Sequence, residues 1–384
     1  MCSPSFFAAY IRSLADLLEV CKSATPSLEA ARTCFFDEPD LSRLRITFET
    51  PMGYTPLHEA SRRGLTDIVA FLLEQKANVN AATFVHQNTK SSLIIRDSGE
   101  APLHLAAANG HWQVAELLIR ARADIATLTT MGQSALLLCF GADGKHHFEV
   151  AKVIVEEIVK LRDADSNKAS NIINCSDAFK ITALHAAAAA GALPIVQLLL
   201  SVKEIDVNNA NIDGHTPFHS AASSGNSFVV RAIAKHGQTD VNKLAKSKLQ
   251  DSPLHLAAKR GNVDVLMELG ILGAHLVKEA TDSAGKPIPL QFISNGSAER
   301  PFPIDVAQGE ARSFLEIAFD LFCLCRREPA SSTAVSIKDI LAAPRTRRAF
   351  LNFRTTADNT PLHIAVISNN YPGWGWDCVE SVWA

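Results

Sequence analysis

The chain has 384 residues, 47% of them hydrophobic and 20% charged, with a formal net charge of −3. This composition supports a sizeable core, excludes a mostly disordered chain and, lacking a basic excess, argues against a nucleic-acid binder. The eight cysteines, at 2, 21, 34, 139, 175, 323, 325 and 378, follow no framework spacing. That predicts free thiols in a reducing compartment, and the C-x-C of Cys323 and Cys325 defines no zinc site by itself.

In chain order, "PSFFAAYIRSLADLLEVCKS" carries apolar residues at helical spacing (Ile11, Leu14, Leu17, Leu18), and "SLEAARTCFF" reads as a second helix. The first residues have no basic n-region, which argues against a secretory signal. Then one pattern recurs: "YTPLHEASRRGLTDIVAFLLEQKANVN" (54–80), "EAPLHLAAANGHWQVAELLIRARADIA" (100–126), "ITALHAAAAAGALPIVQLLL" (181–200), "HTPFHSAASSGNSFVVRAIAKHG" (215–237), "DSPLHLAAKRGNVDVLMELGILGA" (251–274) and "NTPLHIAVISNN" (359–370). Degenerate copies at 134–140 and 302–307 put Leu137 and Asp305 where the others have histidine.

Each position has a physical task. Thr or Ser caps a free backbone N–H, and Pro suits the first helical position. Small Ala residues let neighbouring helices approach. The glycines at 64, 110, 191, 225 and 261 end the first helix. A second helix follows, with Ile68, Val69, Leu72 and Leu73 on its apolar face in the first copy. The stretch 181–200 is long and uncharged enough to span a membrane. Because it shares its breaks with the other copies, the expectation is two short helices divided at Gly191.

These residues resemble the ankyrin-repeat family, whose T-P-L-H-x-A signature recurs at a period near 33 residues. The resemblance implies an all-α solenoid of stacked helix-turn-helix units with long loop insertions, at about 82–97, 160–177, 276–300 and 326–356. Residues 1–50 are expected to form an N-terminal helical cap and 51–370 an array of about seven repeats with an incomplete eighth. The segment 371–384 is expected to be an atypical tail holding three of the four tryptophans. "REPASSTAVSIKD" (327–339) is expected to be disordered, and the copy around 302–320 shortened. The tail reads as a chain cut short after about residue 370, in which case a larger protein continues.

By the same resemblance, the signature histidines at 58, 104, 185, 219, 255 and 363 brace adjacent turns by hydrogen bonds. His146 and His147 are expected to be solvated, beside an enlarged turn at 141–147. No G-x-x-x-x-G-K-[ST], H-E-x-x-H, G-x-S-x-G or EF-hand pattern occurs. The expectation is a non-enzymatic chain with no cofactor and no metal, acting as a cytoplasmic scaffold or adaptor that binds a protein on a concave surface. The alternative is a recognition or regulatory fragment of a larger enzyme or channel. Family positions that read partners correspond here to the residue before the motif and the two residues before the glycine. They include Tyr54, Glu100, His215 and Asp251 in the first set, and Arg62, Arg63, Asn109, Ser223, Ser224, Lys259 and Arg260 in the second. An extended acidic segment is the expected partner of the basic ends of this strip, with no nucleic acid, no direct membrane insertion and a monomeric array. Asn80 and Asn208, each eight residues after a leucine, resemble sites accepted by asparaginyl hydroxylases.

Overall fold

The structure is a computed structural model that describes residues 16–23, 26–36, 53–83, 99–140, 147–237, 239–246, 251–278, 291–292, 307, 309–326, 344–355 and 357–361. The chain divides into two compact units, residues 1–183 with 201–205, and residues 184–200 with 206–384. In the first unit residues 16–22 are helical. They precede α1 (Leu28–Phe36), α2 (Pro56–Arg63), α3 (Thr66–Glu74), α4 (Pro102–Ala108), α5 (Trp112–Arg120), α6 (Ala135–Leu138), α7 (Phe148–Ala164) and α8 (Ser166–Ile173). The second unit holds α9 (Ala183–Ala189, its first residue in the other unit), α10 (Leu193–Leu200), α11 (Pro217–Ser224), α12 (Ser227–Ala234), α13 (Pro253–Arg260) and α14 (Val263–Ile271). It also holds β1 (His275–Lys278), β2 (Gln291–Phe292), α15 (Gly309–Arg326), α16 (Pro344–Asn352) and β3 (Arg354–Thr355).

Within each unit, first helices pack on first helices and second helices on second helices: α2 on α4 on α6 and α3 on α5 on α7, then α11 on α13 and α10 on α12 on α14. The core lies between these layers, with Leu57, Leu72, Leu103 and Leu118 in one unit and Phe218, Val230, Leu254 and Leu266 in the other, all buried. The uncharged stretch forms α9 and α10, broken at Gly191 with φ of 66°. Among the described residues no helix is long and apolar enough to cross a membrane.

The motif builds its own helix start. Thr55 and Ser252 accept the N–H of His58 and His255 on their hydroxyls, and Pro follows at the first helical position. The imidazole answers in reverse, its Nδ1 accepting the N–H of the capping residue at 3.1 Å in His58, 3.0 Å in His104, 3.2 Å in His219 and 3.2 Å in His255. An Nδ1 that accepts leaves the proton on Nε2. That N–H donates onward to a backbone carbonyl: His58 to Glu100 at 3.1 Å, His104 to Thr127 at 3.1 Å and His219 to Asp251 at 3.3 Å. His185 Nε2 meets the His215 carbonyl at 3.0 Å. His255 Nε2 is buried with no partner among the described residues, and His363 lies outside them.

The glycines do more than end helices. Gly64 (φ 71°) and Gly225 (φ 83°) are left-handed, and a Cβ on either would collide with the residue after the next copy's glycine, His111 or Asn262. His147 covers Gly110 in the same way. The expected solvated histidine is therefore half-buried against a neighbouring turn. Residues 141–146 lie outside the described residues.

Three of the expected loop insertions contain regular structure. The segment 160–177 carries the end of α7 and all of α8, because Asp165 ends one helix and its Oδ1 caps the next through Lys168 N–H (3.0 Å). The segments 276–300 and 326–356 contribute to a sheet of order β2-β1-β3, antiparallel on one side (Val277 opposite Phe292) and parallel on the other (His275 opposite Arg354). Helix α16 packs on α14, where Phe353 is fully buried over Gly270. Helix α15, 18 residues long, also packs on α14, and Phe314 meets Phe350 with ring centroids 4.8 Å apart. In the first insertion, Thr83 and Glu100 join its two ends (Thr83 N–H to the Glu100 carbonyl, 3.0 Å). Residues 84–98, the stretch 327–339 and the tail 371–384 lie outside the described residues.

Burial pushes His58, His219 and His255 down to about 4 from an ordinary value near 6.5. The unfolded chain therefore binds protons in this window that the native chain refuses, and stability falls with acid. The contribution is complete above pH 6.5, shrinks as pH drops towards 4, and is on the order of 3 kcal/mol per histidine. Urea unfolding midpoints are expected to fall steadily from pH 7 to pH 5, before most carboxylates titrate; a flat profile would contradict neutral buried imidazoles. At Gly270, a helix-interior Gly→Ala change normally stabilises by about 1 kcal/mol. Here the new methyl would press on the Phe353 ring and the Ala349 carbonyl, so Gly270→Ala is expected to destabilise by about 1–3 kcal/mol. Phe353→Leu in the same chain should recover part of the loss.

Candidate partner-binding face

The side chains before the motif and before the glycine project from turn bases and first-helix ends whose backbone the histidine bonds fix. In the first unit most of them are engaged within the chain. The Tyr54 ring stacks on His58 (5.3 Å between centroids), and its hydroxyl is pushed up to about 12, by burial first and then by Glu59. Arg62 grips Glu59 with two bonds, Nε to Oε2 at 3.1 Å and Nη2 to Oε1 at 2.7 Å, and this buried carboxylate holds the guanidinium's pKa above its ordinary value. Arg63 Nη1 donates to the carbonyls of Cys21 and Ser23, both at 2.6 Å, and so ties the helical segment 16–22 to the first repeat. Glu100 lends its carbonyl to His58 and its N–H to Thr83 Oγ1. Asn109 Nδ2 donates to the Leu105 carbonyl at 2.8 Å.

The second unit is arranged differently. His215, Ser223 and Arg260 line one cavity of about 260 Å³, together with Ala189, His219, Ser220 and Leu256. Arg260 is exposed, and its Nε donates to Ser223 Oγ at 3.2 Å. His215 stacks on His219 (5.2 Å), and its buried Nε2 has no partner among the described residues. Ser224 turns away, its hydroxyl donating to the Ala221 carbonyl at 2.8 Å. Asp251 gives its carbonyl to His219 and Ala245 N–H, its side chain is half-buried, and Lys259 is exposed. The motif marked His215, Ser223 and Arg260 from the sequence. It gave no signal for Ser220 and Leu256, whose place in the cavity depends on packing between α11 and α13.

Asn80 is exposed, and its Oδ1 accepts the N–H of Asp124 at 2.9 Å, linking one turn to the next. Asn242, unmarked by the leucine spacing, does the same for His275 N–H at 2.7 Å. Asn208 is exposed, with its N–H on Asp206 Oδ1 at 2.9 Å. Among the described residues Cys21, Cys139 and Cys175 form no disulfide, and burial raises the pKa of Cys139 and Cys175, so neither of these two is a ready nucleophile. Among the described residues no group of three or more His, Cys, Asp or Glu is placed to hold a metal ion.

Comparison with known proteins agrees with this geometry. Family models described as "Ankyrin repeat" match residues 52–84, 98–130 and 250–279, and one described as "Ankyrin repeats (3 copies)" matches 157–245. The chain is 29% identical over 212 residues to the "Probable 26S proteasome regulatory subunit p28" of Saccharomyces cerevisiae, covering 54% of this chain and 82% of that one. It is 26% identical over 209 residues to the "Nuclear factor NF-kappa-B p105 subunit" of Gallus gallus, covering 54% of this chain but 19% of that one. Among solved structures, the human ASB11 ankyrin repeat domain matches with a TM-score of 0.46 and 21% identity, over 68% of this chain and 96% of that chain. With the motif, the paired helices and the matched segments in agreement, the chain belongs to the ankyrin-repeat family.

Proposed function

We propose that the chain is a non-catalytic scaffold or adaptor that binds an extended segment of a partner protein across its turn bases and first helices. One observation carries the reading: Ala189, His215, Ser223 and Arg260, at partner-reading positions of three successive repeats, line a single cavity. Stacked repeats fix their backbone through neighbours, which leaves these side chains free to vary with the partner. The likeness to a proteasome regulatory subunit, by its name a component of an assembly, supports a binding role. Cys21 and Cys139, buried and in no disulfide among the described residues, support a cytoplasmic setting. A second reading, the recognition or regulatory part of a larger protein, is in keeping with the similar segment being 19% of p105. It uses the same face.

A photo-crosslinking side chain placed at Ser223 or Ala189 is expected to capture a partner in cells. The same group at Gln197, exposed on α10, should not. Capture from Gln197 alone would overturn the choice of face.

A further inference from the structure

Resting on that choice of face, we propose that the cavity between α11 and α13 receives one carboxylate from the partner's extended segment. Among the described residues lining the cavity, Arg260 alone brings a formal charge. Its Nε is held by Ser223 Oγ, which fixes the guanidinium, and no ion pair or other hydrogen bond engages it among the described residues. A fixed guanidinium presents parallel N–H groups that match a carboxylate. His215 adds a buried ring nitrogen without a partner, and Ser220 and Ser223 add hydroxyls.

The first repeat supplies an internal comparison. The motif reads "PLHEASRR" at 56–63 and "PLHLAAKR" at 253–260, so Glu59 and Leu256 hold corresponding positions. In the first repeat that position carries a buried carboxylate, gripped by Arg62. In the later copy Lys259 stands in Arg62's place and an apolar Leu256 lines the cavity, so α13 carries no carboxylate of its own beside Arg260. Arg63, corresponding to Arg260, already spends its Nη1 on two carbonyl oxygens of residues 21 and 23. A guanidinium on this scaffold position therefore reaches acceptors presented along the face. Asp251 does not line the cavity, and Lys259 does not either. One cation fits a singly charged carboxylate better than a doubly charged phosphate.

The test uses the full chain as bait for a phage-displayed random peptide library, with selected peptides resynthesised carrying fluorescein. Selected sequences are expected to share an Asp or Glu at one register position. Changing that residue to its amide should weaken binding about ten- to hundredfold. Arg260→Met should cause a similar loss, and the two changes together little more than either alone. Arg260 is exposed, so unchanged unfolding midpoints would verify that the variant folds. If binding is abolished by Ser223→Trp but shows no acidic preference, or the amide and Arg260 effects simply add, the carboxylate receptor is wrong while the choice of face stands. If Ser223→Trp leaves selected peptides bound, or no peptide is enriched, both are wrong. A phosphoserine peptide that binds more than tenfold tighter than the acidic one and depends on Lys259 would also overturn the carboxylate assignment.

Discussion

In three repeats a neutral imidazole, that of His58, His104 or His219, sits where two hydrogen bonds with different tasks meet. On Nδ1 it accepts the N–H of its own capping residue and completes the helix start. On Nε2 it donates to a carbonyl in the following turn, as in His58 to Glu100 and His219 to Asp251. One side chain thus couples local helix initiation to the registry of successive units. Burial keeps the ring neutral, and neutrality is what allows one nitrogen to accept while the other donates. A protonated ring would donate from both nitrogens and set a positive Nδ1–H against the capping N–H.

With the backbone fixed this way, the function of the face depends on what occupies the remaining side-chain positions. The two ends of the motif-bearing strip use arginine differently. Arg62 and Arg63 serve the fold, one closing over Glu59 and the other holding the helical segment at 16–22. Among the described residues Arg260 is anchored only through Ser223, beside a cavity. Sequence alone makes these arginines look equivalent, since both copies end in a basic pair before glycine.

The repeat itself was legible because its cap, proline, histidine and glycine are local requirements with fixed spacing. The same reasoning located Gly191 as the break in an uncharged stretch and so divided it into two helices. What escaped were features set by distant packing. The strand His275–Lys278 pairs with residues 291–292 and 354–355, and four residues of "HLVK" carry too short a pattern to distinguish a strand from a loop. Likewise α16 lies in a stretch rich in Arg and Ala, and only the fit of Phe353 over Gly270 gives it a place on α14. His147 looked solvated because nothing in its neighbours announces that Gly110 lies beneath it. The candidate residues His215, Ser223 and Arg260 were marked by position; that they meet around one cavity follows from how α11 and α13 pack.

The central claim is the neutral, doubly bonded histidine, and ring-nitrogen NMR tests it most directly. With ¹⁵N-labelled histidine in the full chain at pH 7, long-range nitrogen–proton correlations report the tautomer of each ring. The account predicts the Nε2–H form, with an unprotonated Nδ1, at His58, His104, His219 and His255, persisting to pH 5. An Nδ1–H tautomer or an imidazolium at these positions at neutral pH would contradict it.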